Sequence, residues 1–313
     1  MPFEILRDDH SDFPVITLRD LSTQCEAEIY AFGALLNAFR IKLNGTLFNA
    51  VDGFHSPAEA LKEITAGFKS ARLSPFVCRL HKGQYDFNDQ HYRVEKFYMG
   101  EEAIHGIIYD AVYTVTNTVA NENKAELVLS YQYKGTDKGY PFRFDTEVAW
   151  RLEKENKLTV CSRITNKESH SIPYAEGWHP YFTLGTGLDD CSLQFDSDTM
   201  LEFDSALLPT GKKIKDERFR KGISLKGIEL DNAFELEASS PHQCILSNQQ
   251  LQLIIQPDLS FPYLQVYIPG HRNSIAIENL SSPPDAFNNK MNLLLAEPGA
   301  SHTFTTSYQL QAV

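Results

Sequence analysis

No stretch of this sequence approaches the roughly 18 consecutive apolar residues of a bilayer-crossing helix. Its opening segment, MPFEILRDDHSDFP, carries acids where a signal peptide needs a basic stretch and then an apolar run. The expectation is a soluble, cytoplasmic protein with no membrane partner. Cysteine is sparse: Cys25, Cys78, Cys161, Cys191 and Cys244 are scattered, odd in number and without the C-x-x-C spacing of a zinc site. They read as reduced, mostly structural thiols. Basic residues are outnumbered, 29 against 41 acids, for a net charge of −12. That balance argues against nucleic acid, because neutralising phosphates takes clustered Lys and Arg. A neutral or weakly charged small molecule is the better partner. No internal repeat, low-complexity segment or Gly/Ser linker divides the 313 residues, so 1–313 reads as one domain.

What is present is alternation. AELVLSYQYK places Leu127, Leu129, Tyr131 and Tyr133 on one face, and FRFDTEVAWRLE does the same with Phe142, Phe144, Thr146, Val148, Trp150 and Leu152. NKLTVCSRITN, CSLQFDSD, LQLIIQPD, YLQVYIPG and NSIAIENL continue the period of two between turn-rich pieces. The body is therefore all-β, a large antiparallel β-sandwich or a barrel-like pair of sheets, with few short helices. One helix is legible in SPAEALKEITAGF. Ser56 is its N-cap, Pro57 its first helical residue and Glu59 the partner in a capping box, with Leu61, Ile64 and Phe68 as the apolar stripe. The loop PTGKKIKDERFRKGISLKG concentrates seven Lys and Arg between Lys212 and Lys226. It is either a solvated loop or a patch that attracts a sugar phosphate.

Two segments carry candidate chemistry. In GWHPYF, Pro180 biases His179 towards an extended backbone, and Trp178, Tyr181 and Phe182 offer apolar walls that hold an imidazole in one orientation. His179 is then either a proton-transfer group near neutral pH or a hydrogen-bonded core residue. In NSIAIENLSSPPDAFNN, the strand phase sets Ile275 and Ile277 on one face and Ser274, Ala276 and Glu278 on the other. Small neighbours around Glu278 leave room for a ligand; the alternative is an exposed carboxylate at a strand end.

HPYF and IENLSSPPDAFN together resemble the signatures of the aldose 1-epimerase family, the galactose mutarotase-like proteins. KSARLSPFVCRLHKGQYDFNDQHYRV, AIHGIIYD, PTGKKIKD and IELDNAF are similar to further family segments in the same order, from about Leu35 to Phe304. The resemblance implies a galactose mutarotase-like supersandwich with an open sugar cleft and a hexose mutarotase activity that needs neither metal nor organic cofactor. It implies Glu278 as the general base at the anomeric hydroxyl and His179 as the general acid at the ring oxygen, with His105, Arg79 and Asp231 holding the sugar. A Glu near its ordinary pKa and a protonated His would suit that division of labour. Two departures stand out: Cys78 replaces the Asn that usually precedes the matching Arg, and Ile107 replaces a Gly. Three alternatives follow: a hexose-6-phosphate 1-epimerase using Arg72 and the 212–226 run; a non-catalytic carbohydrate-binding sandwich; and a metal site from His105, His179 and Glu278. The assembly is expected to be a monomer or a homodimer.

Overall fold

The computed structural model describes residues 2–238 and 242–313. Its named strands pair antiparallel, and two large sheets dominate. The first has nine strands; at its centre Lys124–Tyr133, Phe144–Glu153, Lys157–Asn166 and Ser301–Ala312 run side by side. The second carries Asp231–Glu235, Tyr263–Tyr267, Ile275–Leu280, Gly177–His179 and Ala71–Leu73 in that spatial order. Tyr181–Phe182 adds to the Ile275–Leu280 strand beyond the Pro180 break.

The expected sandwich is present because each strand turns one face of alternate residues inward. Phe144, Val148, Trp150 and Leu152 are buried as the period of two requires. Across the interface, Trp178 meets Trp150 edge to face with ring centroids 5.6 Å apart, and Phe182 lies 5.6 Å from Tyr308. Burying a ring such as Phe182 contributes roughly 1.5–3 kcal/mol. A hydrophobic cluster that includes Phe3 and Leu310 draws both ends of the chain into this layer. Among the described residues, no helix is long and apolar enough to cross a membrane.

The helix spans Pro57–Gly67, with the Ser56 hydroxyl accepting from the Glu59 amide at 3.2 Å and the Glu59 carboxylate accepting from the His55 amide at 2.5 Å. Its buried stripe is Ala60 and Ile64, continued by the capping residue Phe68. Leu61 departs from the expected stripe and is 42% exposed, because it lies one residue, or about 100°, round the helix from Ala60. Phe68 closes the helix in the left-handed region, at φ 53°, and this turn aims its ring at the site described next.

Candidate functional site

On the outer face of the second sheet is a cleft of about 190 Å³, lined by Cys78, Arg79, His105, His179, Tyr181, Asp231, Gln265, Tyr267 and Glu278, with Phe68, Met99, Phe203 and Leu207 among its apolar walls. The volume lies below the ~300 Å³ at which clefts for drug-sized ligands begin, so it suits one small ring. Strand phase explains the lining. Along Ile275–Leu280, Ile275, Ile277 and Asn279 point into the sandwich, where Asn279 donates to Thr306 at 3.4 Å, so Glu278 points outward. In the neighbouring strand Gln265 is directly opposite Glu278.

All five site residues expected from the sequence, Glu278, His179, His105, Arg79 and Asp231, line this one cleft. The exposed strand-end alternative for Glu278 is overturned, since the residue is 2% exposed. His179 Nε2 lies 3.3 Å from Glu278 Oε1. The His105 ring packs edge-on against His179 at 4.9 Å and tilted against Phe68 at 4.6 Å. His105 sits at φ 62° and donates its amide to the Cys78 carbonyl at 2.8 Å. The following Gly106 passes so close to the chain that a Cβ there would lie 2.2 Å from the Ser74 carbonyl oxygen. Asp231 accepts from Gln265 Nε2 at 2.8 Å.

The aromatic run divides as its alternation dictates. Trp178 and Phe182 belong to the core, with Trp178 donating to Ser162 at 3.2 Å, whereas Tyr181 lines the cleft 5.0 Å from the His179 ring.

Electrostatics depart from the sequence expectation of an ordinary Glu and a protonated His. Burial pushes the Glu278 carboxyl well above its usual range; Asp231 adds to the rise and Arg79 opposes it. Burial pulls His179 down to about 4 and holds His105 well below its ordinary value. Asp231 is raised by burial against the pull of Arg79. The cause is common to all four: little water reaches these side chains, so their charged forms are disfavoured.

Both candidate phosphate anchors are corrected. Arg72 is fully buried on the sandwich side of its strand and pairs with Glu176. Five of the seven cations of the 212–226 run face local carboxylates: Lys213 with Glu235, Lys212 with Glu202, Lys215 with Glu217, Arg218 with Asp216 and Arg220 with Glu237. None of the seven lines the cleft. Cys78 is also more than a structural thiol, because it lines the cleft with its sulfur 3.9 Å from Glu278 Oε2. Cys78, His105 and Glu278 bring three ligand atoms within 4.8 Å of one another, a donor set suited to a soft divalent ion. This set differs from the anticipated one in substituting the thiol for His179. Gln265 and Tyr267 escaped the sequence analysis; the available signal was the polar-tipped face Tyr263, Gln265, Tyr267 in an otherwise apolar strand.

The fold is that of the galactose mutarotase-like proteins. The structure aligns with galactose 1-epimerase from Lactobacillus acidophilus at a TM-score of 0.83, with 20% identity over 99% of this chain and 98% of that one. It aligns with a galactose mutarotase-like protein from Clostridium acetobutylicum at 0.86, with 16% identity over 100% and 99%. In sequence, an aldose 1-epimerase from Streptococcus thermophilus is 30% identical over 65% of this chain and 60% of its own length. The uncharacterized protein YihR of Escherichia coli is 26% identical over 74% and 75%. The aldose 1-epimerase family profile matches residues 14–309, and the chain belongs to that family. Membership places it in the class of sugar epimerases, which are isomerases.

Proposed function

We propose that this protein is an aldose 1-epimerase that interconverts the α and β anomers of a free hexose, with Glu278 as base, His179 as acid, and Arg79, His105 and Asp231 holding hydroxyls. The observation that carries this reading is the 3.3 Å approach of His179 Nε2 to Glu278 Oε1 inside a buried, ring-sized cleft. The anomeric hydroxyl and the ring oxygen share one carbon, so the two groups that serve them must be neighbours.

In ring opening, the Glu278 carboxylate takes the proton of the C1 hydroxyl while the His179 imidazolium gives its proton to the ring oxygen. The C1–O5 bond breaks and C1 becomes a carbonyl. The pair ends as a carboxylic acid and a neutral imidazole, the forms that burial favours. Rotation about C1–C2 presents the other face of the aldehyde. Closure reverses the transfers: the O5 hydroxyl adds to C1, its proton returns to His179, and Glu278 protonates the carbonyl oxygen. Arg79 opposes the upward shift of Glu278 and so supports the carboxylate needed for opening. Tyr181 offers a ring face to the apolar side of the sugar.

The burial of Arg72 and the absence of the 212–226 cations from the cleft lining favour a free sugar over a 6-phosphate. The test is the equilibration of freshly dissolved α-glucose, α-galactose and glucose 6-phosphate, followed by polarimetry with wild type and Glu278→Gln. Acceleration of the free sugars that disappears in the variant is the expected result. A preference for the phosphate would favour the 6-phosphate epimerase, and no acceleration of any sugar would favour a non-catalytic carbohydrate-binding sandwich.

A further inference from the structure

Arg72 and Glu176 form an ion pair with neither side chain exposed. Arg72 Nε donates to Glu176 Oε1 at 2.6 Å and Nη2 to Oε2 at 3.0 Å, the two-pronged geometry that fixes direction as well as distance. The remaining capacity of the fork is spent on the sandwich interior: Nη1 reaches the Tyr113 hydroxyl at 3.1 Å and Thr146 Oγ1 at 2.5 Å. The Tyr174 hydroxyl donates to Glu176 Oε2 at 2.6 Å.

The place of this pair in the fold is informative. Glu176 precedes His179 by three residues, and Arg72 is directly opposite Trp178 in the adjoining strand, beside Ala71 opposite His179. The backbone of Glu176 also holds the chain beyond Glu278: its amide donates to Ser281 Oγ at 2.8 Å, and its carbonyl accepts from the Ser281 amide at 2.9 Å. Between them, Gly177 is opposite Leu280, and a Cβ on Gly177 would stand 2.6 Å from Leu280 Cδ2. The strands bearing the proposed acid and base are thus drawn together at one point, on the face opposite the cleft.

We propose that Arg72 and Glu176 are positioning residues for the proton-transfer pair, acting through the two strands to hold His179 against Glu278. This rests on the epimerase reading. Burial of matched charges is poor evidence of a stabilising role, because well-packed apolar replacements often fold at least as well. Geometry is what the pair supplies, and misplacing a reacting group by about 1 Å can cost ~10²-fold in rate.

The test compares wild type, Glu176→Gln, Arg72→Lys and the double variant Arg72→Met/Glu176→Met, each checked for folding by circular dichroism and melting temperature. The expected result is a kcat about 10²-fold lower in Glu176→Gln and in the double variant, with KM little changed. The double variant should keep a low kcat even where its melting temperature matches wild type. Arg72→Lys, which keeps the charge and loses the fork, should fall between. A double variant that regains both the melting temperature and the kcat of wild type would overturn the proposal. The imidazole ¹⁵N resonances of His179 read the same geometry without turnover. They should move in Glu176→Gln and in the double variant, and unmoved resonances in folded variants would sink the idea. If wild type accelerates no sugar while the variants still show these shifts, the epimerase reading falls and the positioning of His179 against Glu278 stands.

Discussion

Two carboxylates are buried within a few strands of each other, and they are treated in opposite ways. Glu176 is answered by the Arg72 fork and the Tyr174 hydroxyl. Glu278 has a thiol at 3.9 Å, an imidazole at 3.3 Å and no guanidinium in contact. The fully answered group is on the sandwich side, where nothing can reach it; the under-answered one is on the cleft side, where a ligand can. Desolvating a charge without a full set of partners is costly, and folds retain such groups where chemistry needs them.

The largest effect that sharpens this contrast is on activity. Glu278→Gln should lower kcat by roughly 10²–10⁴-fold with KM little changed, and His179→Asn should do likewise; a stopped polarimetric assay reads both. Next is stability in urea. Arg72→Ala should cost about 3–5 kcal/mol by stranding Glu176 in the interior. Glu278→Gln, which removes an ill-matched buried acid, should be neutral or stabilising at pH 7. Equal losses from the two variants would erase the distinction between the carboxylates.

A third effect depends on pH. His179 is lowered from 6.5 to about 4 by burial, so the unfolded chain binds its proton first as pH falls. Its contribution is complete above pH 6.5 and is lost towards pH 4, to a total of about 3 kcal/mol. The difference in unfolding free energy between wild type and His179→Asn should shrink over that window, and a difference independent of pH would contradict the burial of the ring. Glu278 has the opposite sign: its pKa is raised, so its contribution is present in acid and lost as pH rises through the folded value. Arg79→Ala is smaller, raising KM about tenfold, in keeping with one lost charge-assisted hydrogen bond of ~1.5 kcal/mol. Smallest of all, a chelator should leave the rate unchanged, since proton transfer between two side chains suffices; a rate abolished by chelator and restored by zinc would point to Cys78, His105 and Glu278 as ligands.

Part of the site was legible because strand phase is local, while Arg79, His105 and Asp231 were expected only from the family resemblance. The alternation in NSIAIENL separates Ile277 from Glu278 without any knowledge of the neighbouring strands, whereas Trp178, Tyr181 and Phe182 read alike as walls of His179 until the packed sheets divide them between core and cleft. The helix cap was legible for the same reason, since Ser56 and Glu59 are three residues apart. Leu61 was misassigned because four apolar side chains lie near one stripe and only the packed partner selects among them. Arg72 was misassigned because its partner, Glu176, is 104 residues away. Cys78 likewise reads as an ordinary buried thiol until Glu278, 200 residues on, is brought beside it.

The sequence by itself therefore determined the all-β architecture, the capped helix and the face of its strand that Glu278 takes, because period, turn chemistry and capping act over a few residues. Tertiary structure alone decided which charges are answered and which are left exposed to a ligand. Pairing and desolvation depend on what crosses from another strand, and no local pattern records that.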